Sequence, residues 1–205
     1  MAKPQVNVAP IALTPTNVVT GCVRLAFQSL LEPRVNMNDD GTPGKAKYVA
    51  VLLIEPTDTA LLGMMKAAMK AAAVDFFGEG KVPSGMRNPI RDGNEKAGEY
   101  SFYKDKLFIS CNSDKKPGLL NQAAQLIVNE DDIYSGCWVR ADINCAGYDR
   151  KGNKGVSFFL NNVQKLGDDE RFGGRRSAES VFSPVVDAAN PFGGEATGAA
   201  DDMFA

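Results

Sequence analysis

A mainly β fold, a barrel of about five strands with one long helix and a disordered acidic tail, is what this 205-residue sequence predicts. Three observations predict it. Several segments alternate apolar and polar residues with period two, the pattern of half-buried strands. A single segment, residues 58–77, has the length and composition of a helix. After Gly173 the chain turns to Gly, Ala, Ser, Pro and Asp, which bury too little apolar surface to order themselves.

Taken in order, residues 1–16 are punctuated by Pro4, Pro10 and Pro15 and read as an extended arm. The folded body is expected over 17–172 and the flexible tail over 173–205. From Val19 to Gln28 the residues alternate, with Val19, Val23, Leu25 and Phe27 on one side and Thr20, Cys22, Arg24 and Gln28 on the other. "KYVAVLLIEP" is a continuous apolar run and reads as a strand covered on both faces. "TDTALLGMMKAAMKAAAVDFFG" is the helix. Thr57 or Asp58 caps its start, Gly78 closes it in the left-handed conformation, and Leu61, Met64, Met65 and Met69 fill the core. Residues 78–98 form a long Gly/Pro/Arg-rich loop, of the length that tends to carry function.

"YSFYKDKLFISCNS" reads as a strand with Leu107, Ile109 and Cys111 inward. Its other face carries Tyr100, Phe102, Lys104, Lys106, Phe108, Ser110 and Asn112, unless "KDK" breaks the register. "CWVRADINCAGYD" sends Val139, Ala141, Ile143 and Cys145 inward and Trp138, Arg140, Asp142, Asn144 and Tyr148 outward. "DRKGNK" is a basic hairpin turn. In "GVSFFLNNVQKL" Val156, Phe158 and Leu160 share one face and Phe159 stands on the other.

Composition excludes more than it names. No segment approaches the ~18–20 apolar residues of a membrane helix, and "MAKPQVNVAP" lacks a signal-peptide apolar region, so a cytoplasmic protein is expected. The chain has no histidine, which removes Ser-His and Cys-His nucleophilic systems and the commonest general base. Cys22, Cys111, Cys137 and Cys145 show no CxxC spacing and read as buried thiols; no metal or cofactor is expected. "GTPGKAKY" lacks the glycine spacing of a phosphate loop and carries Ala46 where Ser or Thr would hold magnesium. Acid runs such as Glu130–Asp132 and Asp168–Glu170 are candidates for a nuclease or other metal-dependent enzyme, and both read as solvated turns. Residues 177–205 hold five acids and no base, which leaves 23 bases against 20 acids in residues 1–176, a net +3.

One chemistry fits a sheet face that mixes aromatic rings with lysine and arginine. Unpaired bases stack on Phe, Tyr or Trp for roughly 1–3 kcal/mol per base, and the cations neutralise phosphates. The candidate nucleic-acid-binding residues are Phe102, Lys104, Lys106 and Phe108 on one strand and Trp138, Arg140 and Tyr148 on the next. Phe159, the hairpin cations Arg150, Lys151 and Lys154, and Arg91 in the long loop complete the set. A five-stranded barrel with a helix and a stacking face matches the OB-fold, which binds oligonucleotides on its strands 2–3 and adjoining loops.

The runs "NPIRDGNEK", "PGLL", "IYSGCWVR", "KGVSFFLNNVQKL" and "GGRRSAES" resemble a bacteriophage family of single-stranded-DNA-binding proteins, long catalogued as a domain of unknown function. The similarity runs from about residue 15 to about 182 and is most specific over 132–179. It implies an OB-fold, no catalysis, and a role coating single-stranded DNA in phage replication and recombination. "DDMFA" is similar to the acidic ends, closed by an aromatic, with which many single-strand binders recruit replication partners. Asp201, Asp202 and Phe204 are therefore candidate partner-binding residues, although Ala205 follows the ring. Duplex DNA or RNA as weaker ligands and a homo-oligomer stay open. The alternative is a phage assembly protein that uses an OB-like barrel for protein contacts.

Overall fold

The computed structural model describes residues 4, 6, 8–37, 41–150 and 152–173. Lys151 at the hairpin tip, and the tail with Asp201, Asp202 and Phe204, lie outside the described residues. The elements are β1 (Ile11–Ala12), β2 (Asn17–Val19), β3 (Val23–Arg34), β4 (Lys47–Ile54), α1 (Thr59–Phe77), β5 (Arg91–Asp92), β6 (Leu107–Ser113), β7 (Gly118–Leu120), β8 (Trp138–Arg150) and β9 (Asn153–Gly167). Five of the strands close into a ring in the order β3–β4–β6–β9–β8 and back to β3. Every pairing in the ring is antiparallel except β6–β9, which is parallel. The remaining strands, β1, β2, β5 and β7, are two or three residues long and extend the sheet at its margins.

The inner face holds the expected alternation. Leu25, Leu52, Ile109, Val139, Ile143, Phe158 and Leu160 meet in one core, and α1 packs Leu61, Met65, Ala68 and Ala72 onto it. Asp58 caps the helix by accepting from the Leu61 amide at 3.1 Å. Gly78 ends it at φ 89° and ψ 153°, so the positive φ arrives as expected but the conformation is extended rather than left-handed helical. All four cysteines are buried; burial pushes the Cys145 thiol up to about 12 and raises Cys111 and Cys137 as well. The N-terminal arm is not free. Val6 and Val8 pack against Cys22, Trp138 and Leu166, and Ile11–Ala12 pair with β2.

β4 is covered twice, as its unbroken apolar run requires. Ala50, Leu52 and Ile54 enter the inner core, while Val51 and Leu53 join a second cluster outside the ring with Ala26, Tyr103 and Phe108. Fully burying a side chain of this size is worth about 1.5–3 kcal/mol, so the outer cover is a substantial part of the fold. It comes from residues 93–106, and here the structure departs from the expected strand. Ser101–Tyr103 form a 3-10 turn, Asp105 has φ 58°, and the strand begins only at Leu107. The register break at "KDK" is real, and Phe102, Lys104 and Lys106 stand on a folded-back segment rather than on β6.

A second departure lies in β3. Ala26 pairs with Val51 and Ser29 with Val49, so Phe27 and Gln28 together face the single residue Ala50. This bulge puts Phe27 at φ 43° and turns its ring out of the ring of strands. The expected inward position of Phe27 is thereby overturned: the bulge adds one residue and inverts the alternation beyond Leu25.

The covering segment rests on a close approach at Gly93. Its amide donates to the Lys106 carbonyl at 2.8 Å, and an added Cβ would lie 2.2 Å from the Tyr103 carbonyl oxygen and 2.7 Å from that of Lys106. Gly93→Ala should therefore cost about 1–3 kcal/mol or more by overpacking, read in urea melts. Gly98→Ala, where a Cβ meets nothing within 4 Å, serves as the control and should change stability little.

Candidate nucleic-acid interface

Register aligns a row of outward residues across the ring. Trp138 pairs with Arg24, Arg24 with Leu53, Leu53 with Phe108, and Phe108 with Arg91. Cations alternate with rings along it: the Arg24 guanidinium lies 5.0 Å from the Trp138 ring centre and that of Arg91 lies 5.1 Å from Phe108. The two strands expected to carry the stacking rings are thus joined through β3 and β4. Their rings do not face solvent, however. Phe108 is 3% exposed and Trp138 6% exposed.

Phe108 lies under a second layer of rings, while Trp138 lies under Arg24 and against Val6, Val8, Cys22 and Leu166. Tyr103 meets Phe108 edge-on at 4.9 Å, and Phe102 lies on Tyr103 at 5.1 Å. Phe172 stacks on Phe102 at 4.3 Å with only 8° between planes, and Arg24 lies 4.3 Å from the Phe172 centre. Phe27 touches Tyr100 at 4.7 Å and Phe102 at 5.7 Å. This upper layer is the accessible one: Phe27 is 38% exposed, and Tyr100, Phe102 and Phe172 are half-buried. The expectation that Phe108 and Trp138 present open stacking faces is corrected accordingly. They form the floor, and Phe27, Tyr100 and Phe172 are surface rings that alternation did not single out.

The other expected residues divide. Lys104 is exposed beside Phe102. Lys106 is held by Glu55 at 2.7 Å, and Arg91 pairs with Glu95, so both cations are partly neutralised. Arg140 donates from Nε to Gln164 Oε1 at 2.7 Å. Its neighbour Asp142 accepts from Asn17, Asn161 and Asn162, which makes this stretch of β8 a polar network without rings. Phe159 is half-buried on the outer side of β9. Tyr148, ten residues along β8 from Trp138, lies over Gly155, which also bridges to Arg87 of the long loop. Arg150 and Lys154 are exposed at the hairpin end, where Lys154 lies 3.5 Å from Asp149.

The acid runs have structural duties. Asp169 is buried; its Oδ2 accepts from Trp138 Nε1 at 2.8 Å and lies 3.1 Å from Arg24. Burial pushes its carboxyl up, but the Glu170 amide, the indole N–H and the Arg24 charge outweigh that and hold it below the usual value. Asp168 accepts from the Tyr134 hydroxyl at 2.7 Å and pairs with Lys165. Glu130–Asp132 form an exposed 3-10 turn. Among the described residues no group of three or more acids or cysteines is placed to hold a metal ion.

Asp169 therefore pins both ends of the Trp138–Arg24 contact. Asp169→Asn should lower stability at pH 7 by about 2 kcal/mol, the scale of a hydrogen bond to a charged group. Because the folded value is depressed, this stabilisation is present above the unfolded value of about 3.9 and lost as pH falls through the folded one. Urea melts should show the gap between wild type and variant narrowing below about pH 4; a gap that does not vary with pH would refute the charge assignment.

Comparison with known proteins agrees with this fold. A family model described as the single-stranded-DNA-binding protein of Enterobacter phage Enc34 matches residues 16–193. Putative protein p50 of Acyrthosiphon pisum secondary endosymbiont phage 1 is 34% identical over 161 residues, which cover 74% of this chain and 84% of that protein. The solved structure of the bacteriophage Enc34 single-stranded DNA-binding protein in complex with ssDNA is similar with a TM-score of 0.67 and 24% identity, covering 82% of this chain and 99% of that one. A C-terminal truncation of the same Enc34 protein gives 0.66 and 20%, over 81% and 98%. These structural likenesses bear out the mainly β fold, and the sequence match carries the assignment: the chain belongs to the Enc34 single-stranded-DNA-binding protein family.

Proposed function

We propose that this chain is a non-catalytic single-stranded-DNA-binding protein of phage DNA replication and recombination. It stacks bases on the outer aromatic layer and neutralises phosphates with the surrounding cations. Family membership supports the ligand class. The observation that carries the mechanism is Phe27. A non-glycine residue at positive φ costs about 1–2 kcal/mol, and here the strain turns an aromatic ring out of the core, 38% exposed, onto a face where Lys96 and Arg34 line the same pocket. Strain of this kind recurs at functional sites. Stacking ignores base identity, so binding has little sequence preference. Arg150, Lys151 and Lys154 extend the phosphate contacts along the hairpin, the counterpart of the OB-fold loop between its last two strands. Asp201, Asp202 and Phe204 recruit replication or recombination proteins.

With Trp138 sealed beneath Arg24, the suitable readout is the anisotropy of a labelled oligonucleotide rather than tryptophan quenching. Oligo-dT should bind more tightly than duplex DNA of equal length at two salt concentrations; equal or absent binding would sink the reading. Phe27→Ala and Phe102→Ala should each weaken oligo-dT binding by roughly 1–3 kcal/mol, and the melting temperature of Phe27→Ala should change little. Removing Arg150 or Lys154 should reduce the salt slope of log K by about 0.7 for each phosphate left without its cation. An unchanged slope in the double variant would take the hairpin out of the site.

A further inference from the structure

Beside Phe27 the outer surface falls into a pocket of about 300 Å³ between the aromatic layer and the start of the β3–β4 connection. Its apolar floor is Val49 and Val51, and its walls are the Phe27, Tyr100 and Tyr103 rings. Polar groups stand around this slot. Ser29 and Asn36 supply a hydroxyl and an amide from the β3 side, and Glu99 faces them from the covering segment. Arg34 and Lys96 add a positive charge on each side. A hydrogen bond to Glu99 raises the Tyr100 hydroxyl above its ordinary value, and burial does the same for Tyr103, so both phenols remain neutral hydrogen-bond donors.

We propose that this pocket receives one extruded base of the bound strand, with the flanking phosphates at Arg34 and Lys96. The inference rests on the reading of the chain as a single-strand binder and adds to it a site that tells single from double strands. Four features select this occupant. A volume of about 300 Å³ lies at the small end of ligand pockets and suits one nucleotide rather than several. Aromatic walls over an aliphatic floor match the two apolar faces of a base. Ser29, Asn36 and Glu99 offer both donors and acceptors, which a base edge needs once it has lost its pairing partner. The two cations match the phosphates on either side. A paired base has its edge engaged and both faces stacked within the duplex, so it enters only after paying the unstacking and unpairing energy.

The test fills the pocket from its floor. Ser29 and Val49 are paired across β3 and β4 and half-buried, and phenylalanine suits a strand position. Val49→Phe should weaken binding of oligo-dT about 5- to 150-fold, the value of one stacked base. It should leave unchanged both the salt slope and the affinity for an abasic strand of equal length. An unchanged oligo-dT affinity, or an equal loss on the abasic strand, overturns the pocket. Neither result touches the function itself, which fails only if the wild-type protein does not prefer oligo-dT to duplex. A second arm uses the unaltered protein. Thymidine 3′,5′-bisphosphate should shift the amide resonances of Ser29, Asn36 and Val49, and inorganic phosphate alone should not. The absence of those shifts, or equal shifts with phosphate, also overturns it.

Discussion

Val51 and Leu53 point away from a core that is already full, and something apolar must cover them. That requirement organises the outer side of the sheet around β4. β4 is apolar without a break from Val49 to Ile54 and cannot border solvent on one side there, so it demands a second cover, and the chain answers with residues 93–106. The cover contributes Tyr100, Phe102 and Tyr103, and its own outer side is then necessarily aromatic. The outer aromatic layer is in this sense a consequence of burying β4 twice. The rings nearest the sheet serve stability, and the rings above them stay partly exposed.

This layering explains what could be read from the sequence and what could not. The strands of the ring were legible because their inner faces obey period two without interruption: Val139 to Cys145 and Val156 to Leu160 need no tertiary information. The helix was legible from its capping residue, composition and closing glycine. The positions of the rings were not. Phe27 leaves the core because two residues face one across the β3–β4 pair, and nothing in "VRLAFQSL" announces an inserted residue. Phe108 and Trp138 do lie on the outer face that alternation gave them, yet alternation is blind to whatever settles above a face. Tyr103 covers Phe108 from outside its strand, and Arg24, Val6 and Val8 cover Trp138, so the burial of those two rings was a tertiary fact. Phe172 stood in the similarity region but at the end of an acid-rich turn, where no periodic signal marks a packed ring.

The second dependency is electrostatic. Arg24 lies between the Trp138 and Phe172 rings and would be an unpaired charge over an aromatic floor without Asp169. Its other nitrogens are taken by backbone oxygens of Gly136 and Glu170 at 2.7 and 3.0 Å. The Phe172 amide bonds the Ser135 carbonyl at 2.8 Å. The segment that follows β9 is thus tied down atom by atom where it crosses the sheet. An acid run that composition alone reads as a solvated turn is what fixes the ring at the end of the stack.

Rigidity of this kind bears on affinity. A flexible side chain recruited to a base loses rotamer entropy on binding, about 0.5–1.5 kcal/mol for each one immobilised. Here Phe102 is already held between Tyr103 and Phe172, and Phe27 is held by its bulge and by Tyr100, so little remains to be ordered. The cations differ. Lys106 and Arg91 are engaged by Glu55 and Glu95, and a phosphate must compete with those carboxylates. Exposed ion pairs are worth about 0–1 kcal/mol, so exchanging a carboxylate for a phosphate is nearly neutral at each position. On the proposed function, stacking therefore supplies most of the favourable energy on the aromatic face, and the cations held by carboxylates add little. Such a surface, on the proposed function, accepts unpaired bases of any sequence, because a π-face is common to all of them.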